Sequence, residues 1–447
     1  MLLRKNQDLI KLVFAIIIGV IFIYALIEYG KKHASIVKQS IAEVLNATTT
    51  TALTPNNSTS KITPTIIESG PNYKTYPIVP IKKPAASGST TTDPIFDTLI
   101  MRLTDATDGS NSCTIGYSYW PVFNMDSSRI AVECDFQGHT YPEFFEINKD
   151  TLVLSHRISP HINCASDMIW SATDKDVMYC RSGPPGAGLS SYNVLTGGMV
   201  LVKDFSYMLS GGSLNQMSKS LDDNRFAFTV TNSNGKFIGY MVWEKSSDKV
   251  ILKNLDPVDE QVDEVQIDKS GKFLTVSNDS GNTHVWNLDN MEMTKLASGV
   301  DGYFHEDTGK GILVSSCDPN NLCIRNLATP HLTKNLLSFS DYSQGQVHFS
   351  MLADDERWAL ITSEEGADRG GHTCNVTLPF QCEIYQVATD GSGKVRRLVH
   401  HYSTATDYSR SAFGNINRDG NLIAWASDWG NQKGRVDVYI AKISPAE

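Results

Sequence analysis

Residues 415–430 read NINRDGNLIAWASDWG, and the reading of this stretch decides the fold. Asp419-Gly420 tolerates the positive backbone angles of a tight hairpin turn, and the run Leu422-Ile423-Ala424-Trp425-Ala426-Ser427 behind it has strand character. Upstream, the order apolar strand, polar turn, apolar strand, small polar exit recurs in six more stretches. They are VFNMDSSRIAVECD, MIWSATDKDVMYCRS, QMSKSLDDNRFAFTVTNSNG, VQIDKSGKFLTVSNDSG, YFHEDTGKGILVSSCDPN and HFSMLADDERWALITSEEG. Their turns fall near Asp126, Asp174, Asp222, Asp268, Asp307 and Asp354, with Asp419 the last. The steps are about 40 to 50 residues, with a final one of about 65, which suits a four-stranded propeller blade. Each copy continues into a third strand, from EFFEIN in the first to DVYIAKI in the last. The last copy shows no fourth strand before AKISPAE, and FDTLIMRLT at 96–104 is a strand without a repeat of its own. Pairing the two closes a ring and removes an open edge. The expected fold class is therefore all-β, a seven-bladed β-propeller over 96–447 closed by an N-terminal strand. An open sandwich array or a six-bladed ring is the alternative.

The pattern NRDGNLIAWASDWG followed by VDVYIAKI resembles the TolB-like, WD40-like repeats of extracytoplasmic propeller proteins. The likeness is sharpest in the last copy and weak over about 96–443. The turns TDKD, LDDN and ADDE depart from it, and no copy ends in the Trp-Asp pair of WD repeats. The resemblance implies a propeller outside the cytoplasm and does not by itself imply an activity.

Ahead of the propeller, Leu12 to Ile27 carry no charge and are flanked by Arg4, Lys5, Lys11, Glu28, Lys31 and Lys32. With its neighbours this run reads as a signal anchor over 1–33, with a transmembrane helix at about 9–30. A cleaved signal peptide is the rival, and it lacks a good small-residue cleavage site. Residues 34–95 are rich in Thr, Ser and Pro and read as a disordered linker. Eight cysteines sort into the local pairs Cys113–Cys134, Cys164–Cys180, Cys317–Cys323 and Cys374–Cys382, which points to disulfides in an oxidising compartment. The propeller is then placed in the periplasm or at the cell surface. A net charge of −10 without a basic run argues against nucleic acid as a partner.

In a propeller the loops leading into the innermost strands emerge around the central channel on one face, where ligands bind. The most polar of these loops here is HHYSTATDYSRSAF, 400–413, and SDWGNQKGR, 427–435, falls on the same face. Arg410 and Trp429, with Asp428, Asn431 and Tyr408, are the candidate ligand-binding residues, a guanidinium for a carboxylate and an indole for a sugar ring. His401, Arg410 and Asp407 are the catalytic alternative, with His401 as base. His139, His161, His372 and His401 form an alternative metal set like that of propeller lyases of the oligogalacturonate type. No nucleophile elbow, dinucleotide fingerprint or phosphate loop is present, and no cofactor is expected. The leading expectation is a membrane-anchored module that binds or scaffolds a protein or carbohydrate at the cell envelope. The alternative is a polysaccharide lyase or glycosidase using the loop face.

Overall fold

Four of the repeats close their first hairpin with a side chain. In the last one, Asn417 turns its Oδ1 onto the backbone N–H groups of Asn421 and Leu422, both at 2.9 Å, and Gly420 takes the positive φ of 68° that the turn demands. Asn124, Ser220 and Asp268 hold the same place in other repeats and accept from the N–H groups of Arg129, Arg225 and Phe273 at 2.9, 3.0 and 2.8 Å. Without such an acceptor, the N–H that opens the second strand has no ladder partner, so a short Asn, Ser or Asp recurs there. The fifth repeat differs: Asp307 lies within the strand Glu306–Thr308, and the turn follows it at Gly311, where φ is 72°.

The computed structural model describes residues 66–158, 168–183, 186–255, 262–278, 282–296, 305–318, 320–339, 347–364 and 376–444. Seven antiparallel sheets result, one per repeat, and the all-β seven-bladed propeller is the fold. From the channel outward, blade one runs through Ser112–Thr114, Arg129–Phe136, His139–Asn148 and Val153–Ile158. Blades two to five follow the same order. Blade seven is closed across the termini. The strand β3 (Thr98–Arg102) pairs with Asp437–Lys442, with Ile100 opposite Ala441 and Arg102 opposite Tyr439.

The core lies between blades. Trp425 and Tyr439 of blade seven pack with Leu360, Ile384 and Val399 of blade six, all fully or nearly fully buried. Phe226 and Phe228 of blade three meet Tyr179 and Leu189 of blade two in the same manner. Each aliphatic or Phe side chain buried this way contributes about 1.5–3 kcal/mol relative to exposure.

The expected linker is corrected from residue 66 onward. Here the chain is a strap that adds a fifth strand to two blades: β1 (Ile66–Glu68) pairs with Val395–His400 of blade six, and β2 (Thr90–Asp93) pairs with β3 on blade seven. Its cause is a set of buried charges that composition does not reveal. Arg397, fully buried, binds Glu383 in two contacts, reaches Glu68 of the strap at 3.0 Å and lies over the Tyr76 ring at 4.8 Å. Lys83 reaches the buried Asp437 at 2.7 Å, beside Arg102 and Arg435. The strap thus adds Glu68 and Lys83 to the partners that Arg397 and Asp437 already have in their own blades.

Cys113 and Cys134 stand opposite each other on neighbouring strands, Cα atoms 4.1 Å apart, and are bonded; Cys317 and Cys323 are bonded across a hairpin at 5.7 Å. Cys180 and Cys382 are also in disulfides, while Cys164 and Cys374 lie outside the described residues. The anchor helix at 9–30, the linker as far as 65, His161 and His372 lie outside them as well. Among the described residues no helix is long and apolar enough to cross a membrane.

Candidate functional site

The innermost strands begin on one face of the propeller and end on the other, so side chains at their starts converge at one end of the channel. Three such positions hold titratable groups in apolar surroundings: Glu264 in Val262–Ile267, His305 just ahead of Glu306–Thr308, and His348 in Val347–Ser350. Blade one adds Tyr117 and Tyr119. The Tyr117 hydroxyl lies 2.9 Å from Nδ1 of His305 and 3.2 Å from Nδ1 of His348, and the two imidazoles are 4.8 Å apart, centre to centre. One oxygen between two ring nitrogens accepts an N–H from one imidazole and donates its O–H to the other, so the three groups form a single proton path. His305 has φ of 62°, a left-handed backbone that a non-glycine residue adopts at a cost and that is found more often at functional sites.

Burial tunes this row toward uncharged forms. His348 is held well below the usual imidazole range, first by burial and then by the neighbouring His305. Glu364, whose Oε1 is 3.8 Å from His348 Nε2, is pushed up to about 7 by burial, against the opposing hydrogen bonds of Ser411 and the Ala412 N–H. Glu264 is raised well above the carboxylate range by burial and by Glu306 nearby, and Tyr117 and Tyr119 are raised well above theirs by burial and by Glu264. Burial thus shifts the His348 imidazole, the phenols and the carboxyls of the channel mouth alike toward their uncharged forms, which is the mixture general acid–base chemistry uses.

The residues singled out in the sequence are mostly placed elsewhere. Tyr408 is the one that adjoins the row: 68% exposed, its ring lies near-parallel to Tyr117 at 6.3 Å. Arg410 turns to Asp407 at 3.2 Å and to the Gly434 carbonyl at 3.2 Å, and reaches Asp428 at 3.8 Å. Asp428 is buried and accepts from the Thr404 N–H and hydroxyl, tying the two loops together. Trp429 stacks on Tyr402 at 4.6 Å and donates Nε1 to the Ile81 carbonyl of the strap, and Asn431 is exposed at a turn. His401 is fully buried, with Nε2 on the Ser363 carbonyl and Nδ1 accepting from the Ser403 N–H, and burial pushes it down to about 4. His139 is exposed at the blade-one hairpin. Tyr117, His305 and His348 escaped the sequence reading. Their signal was a titratable residue inside the inner-strand run of successive repeats, as in VDEVQI, YFHEDT and VHFSML.

Among the described residues, the one group of three His, Cys, Asp or Glu atoms close enough to share an ion is Asp108, Cys113 and Cys134, whose cysteines are spent in a disulfide. At the channel mouth His348 Nε2 and Glu364 Oε1 lie 3.8 Å apart, and among the described residues no third ligand atom comes close enough to share an ion with them. The described donors thus do not fit a metal centre, which takes at least three protein ligands in common catalytic sites.

No protein-family model and no curated protein matches the chain. Solved structures do. An oligogalacturonate lyase from Vibrio parahaemolyticus superposes with a TM-score of 0.57 at 11% identity, covering 80% of this chain and 96% of that one. An oligogalacturonate lyase in complex with manganese superposes with a TM-score of 0.58 at 14% identity, covering 80% and 98%. At such identities the likeness concerns the fold. It nonetheless overturns the expectation of a non-enzymatic binding or scaffolding module, which rested on the lack of a catalytic motif: both neighbours are lyases on this architecture. A linear motif is a poor test where each blade contributes a single side chain.

Proposed function

We propose that the chain is a polysaccharide lyase that cleaves a uronate-containing glycan by β-elimination at the channel mouth. One observation supports this above the others: the hydrogen-bonded row His305, Tyr117, His348 at the axis of a fold shared with oligogalacturonate lyases. In a β-elimination a base takes the proton from the carbon next to the uronate carboxylate. The C–H electron pair becomes the new C=C bond, the glycosidic C–O bond breaks with its pair on oxygen, and that oxygen takes up a proton.

Half-buried His305 is the base in this reading. With its Nδ1–H donated to Tyr117, Nε2 is the basic nitrogen, and Tyr117 passes its own O–H to His348 behind it. The Glu364 carboxyl, protonated up to about pH 7, supplies a neutral hydrogen-bond donor that lessens the charge on a uronate carboxylate. Tyr408, exposed beside Tyr117, offers a ring face for a sugar.

The TolB-like blade pattern and the N-terminal apolar run are read with this as an extracytoplasmic enzyme on a membrane anchor, a placement the disulfides support. The test is direct. Full-length protein incubated with oligogalacturonate and with other uronate oligomers, with and without manganese, should release a product whose conjugated double bond absorbs in the ultraviolet. No unsaturated product from any of these substrates defeats the reading.

A further inference from the structure

Further along the channel from the row of His305, Tyr117 and His348, toward the finish of the innermost strands, lies an open cavity of about 90 Å³. Its walls combine two features. The indoles of Trp120 and Trp170 provide apolar faces, and Lys219, Lys269 and Arg418, from blades three, four and seven, bring in three cationic side chains. Their carboxylate partners are Asp223 for Lys219 at 2.5 Å, Glu356 for Lys269 at 3.0 Å and Asp354 for Arg418 at 3.0 Å. None of the three carboxylates lines the cavity, whereas all three basic side chains do, and burial holds Lys219 below the usual lysine range. Although each is ion-paired, the wall gathers three basic side chains against one carboxyl, that of Asp307.

A third feature is an unmet acceptor. Gln266, 3% exposed and part of the wall, donates Nε2 to the Glu306 carbonyl, while its Oε1 has no partner. A buried amide oxygen without a donor is a standing cost that an incoming hydroxyl relieves. The one carboxyl in the wall, Asp307, is pushed up to about 7 by burial and so opposes an anion only above that pH.

We infer that this cavity is a binding site for a small hydroxylated monocarboxylate with one flat apolar face: the carboxylate toward the cations, the ring on the indoles, the hydroxyl on Gln266. The inference does not rest on the lyase reading. The site adjoins the mouth from below: Asp307 of its wall stands in the inner strand that His305 leads into, and Tyr119 and Gln266 both hydrogen-bond Glu264.

The test is calorimetric titration of the full-length chain with 4-hydroxybenzoate and with galacturonate, representing an aromatic and a sugar source of the same chemistry. Each is paired with a control lacking the charge, 4-hydroxybenzamide and galactose. At least one acid should bind, its uncharged control should bind about tenfold more weakly or not at all, and affinity should fall as pH rises through 7. Lys269→Gln, which removes a charge, should weaken binding about tenfold, and Ala172→Leu, which fills the hollow, should abolish it while leaving His305-dependent turnover intact. Equal binding of acid and control, undiminished binding to Ala172→Leu, or no binding of either acid overturns the inference. The ligand-side comparison decides the matter even if both variants fold poorly.

Discussion

Two regions on the same face of the propeller compare instructively. The segment 400–411 with 428–431 is dense in His, Asp, Arg and Trp, yet its polar groups are largely turned on one another. Asp428 caps Thr404, His401 is fixed between Ser363 and Ser403, and Trp429 holds the strap through the Ile81 carbonyl. The row of Tyr117, His305 and His348 is sparse in sequence, one residue per blade, and its members meet only at the axis. The dense region is polar because a loop buried against two blades must satisfy its own backbone. The sparse row has no such duty, and burial there drives titratable groups away from their charged forms.

The sharpest way to break this comparison is to mutate one residue on each side. His305→Ala should lower turnover on the uronate oligomers by about 10²–10⁴-fold with little change in melting temperature. His401→Ala should do the reverse, leaving turnover per folded molecule nearly intact while destabilising by about 1–3 kcal/mol, because two buried hydrogen bonds are lost. A turnover loss for His401→Ala equal to that for His305→Ala would place the chemistry in the dense loop after all.

The strap extends the comparison from loop to terminus. Arg397→Ala leaves Glu383 buried and uncompensated and should cost about 3–5 kcal/mol in denaturant unfolding. Deleting 66–95 should cost a similar amount, since it strips partners from Arg397 and Asp437 together. Unchanged stability on deletion means that the strap is not part of the fold.

A smaller effect follows from Glu364. Its pKa is raised in the folded state to about 7, so the folded protein holds this proton more tightly than the unfolded chain does. The associated stability is complete below the ordinary carboxylate range and is lost as pH rises through about 7. Glu364→Gln should therefore flatten the fall in melting temperature between pH 5 and pH 8 compared with the parent chain. Parallel pH profiles for the two would show that Glu364 is not held protonated. The smallest effect is expected at the exposed Asn431, where Ala should change stability by less than about 0.5 kcal/mol and leave turnover unaltered.

Local sequence was enough for the repeat, the ring and its closure. Hairpin turns such as that at Gly420 and strands such as 422–427 are local, and the unpaired strand at 96–104 had one open edge to fill. It also determined the bonds Cys113–Cys134 and Cys317–Cys323, because each joins neighbouring strands of a single blade. The strap was not legible, since its Thr, Ser and Pro look like linker, and its reason for order is a buried Arg397 that follows it by some three hundred residues. The channel row and the cavity that adjoins it were hidden for the same reason. Their members come from different blades, so only closing the ring brings them within hydrogen-bonding distance, and only the burial that follows pushes Glu364 up and His348 down.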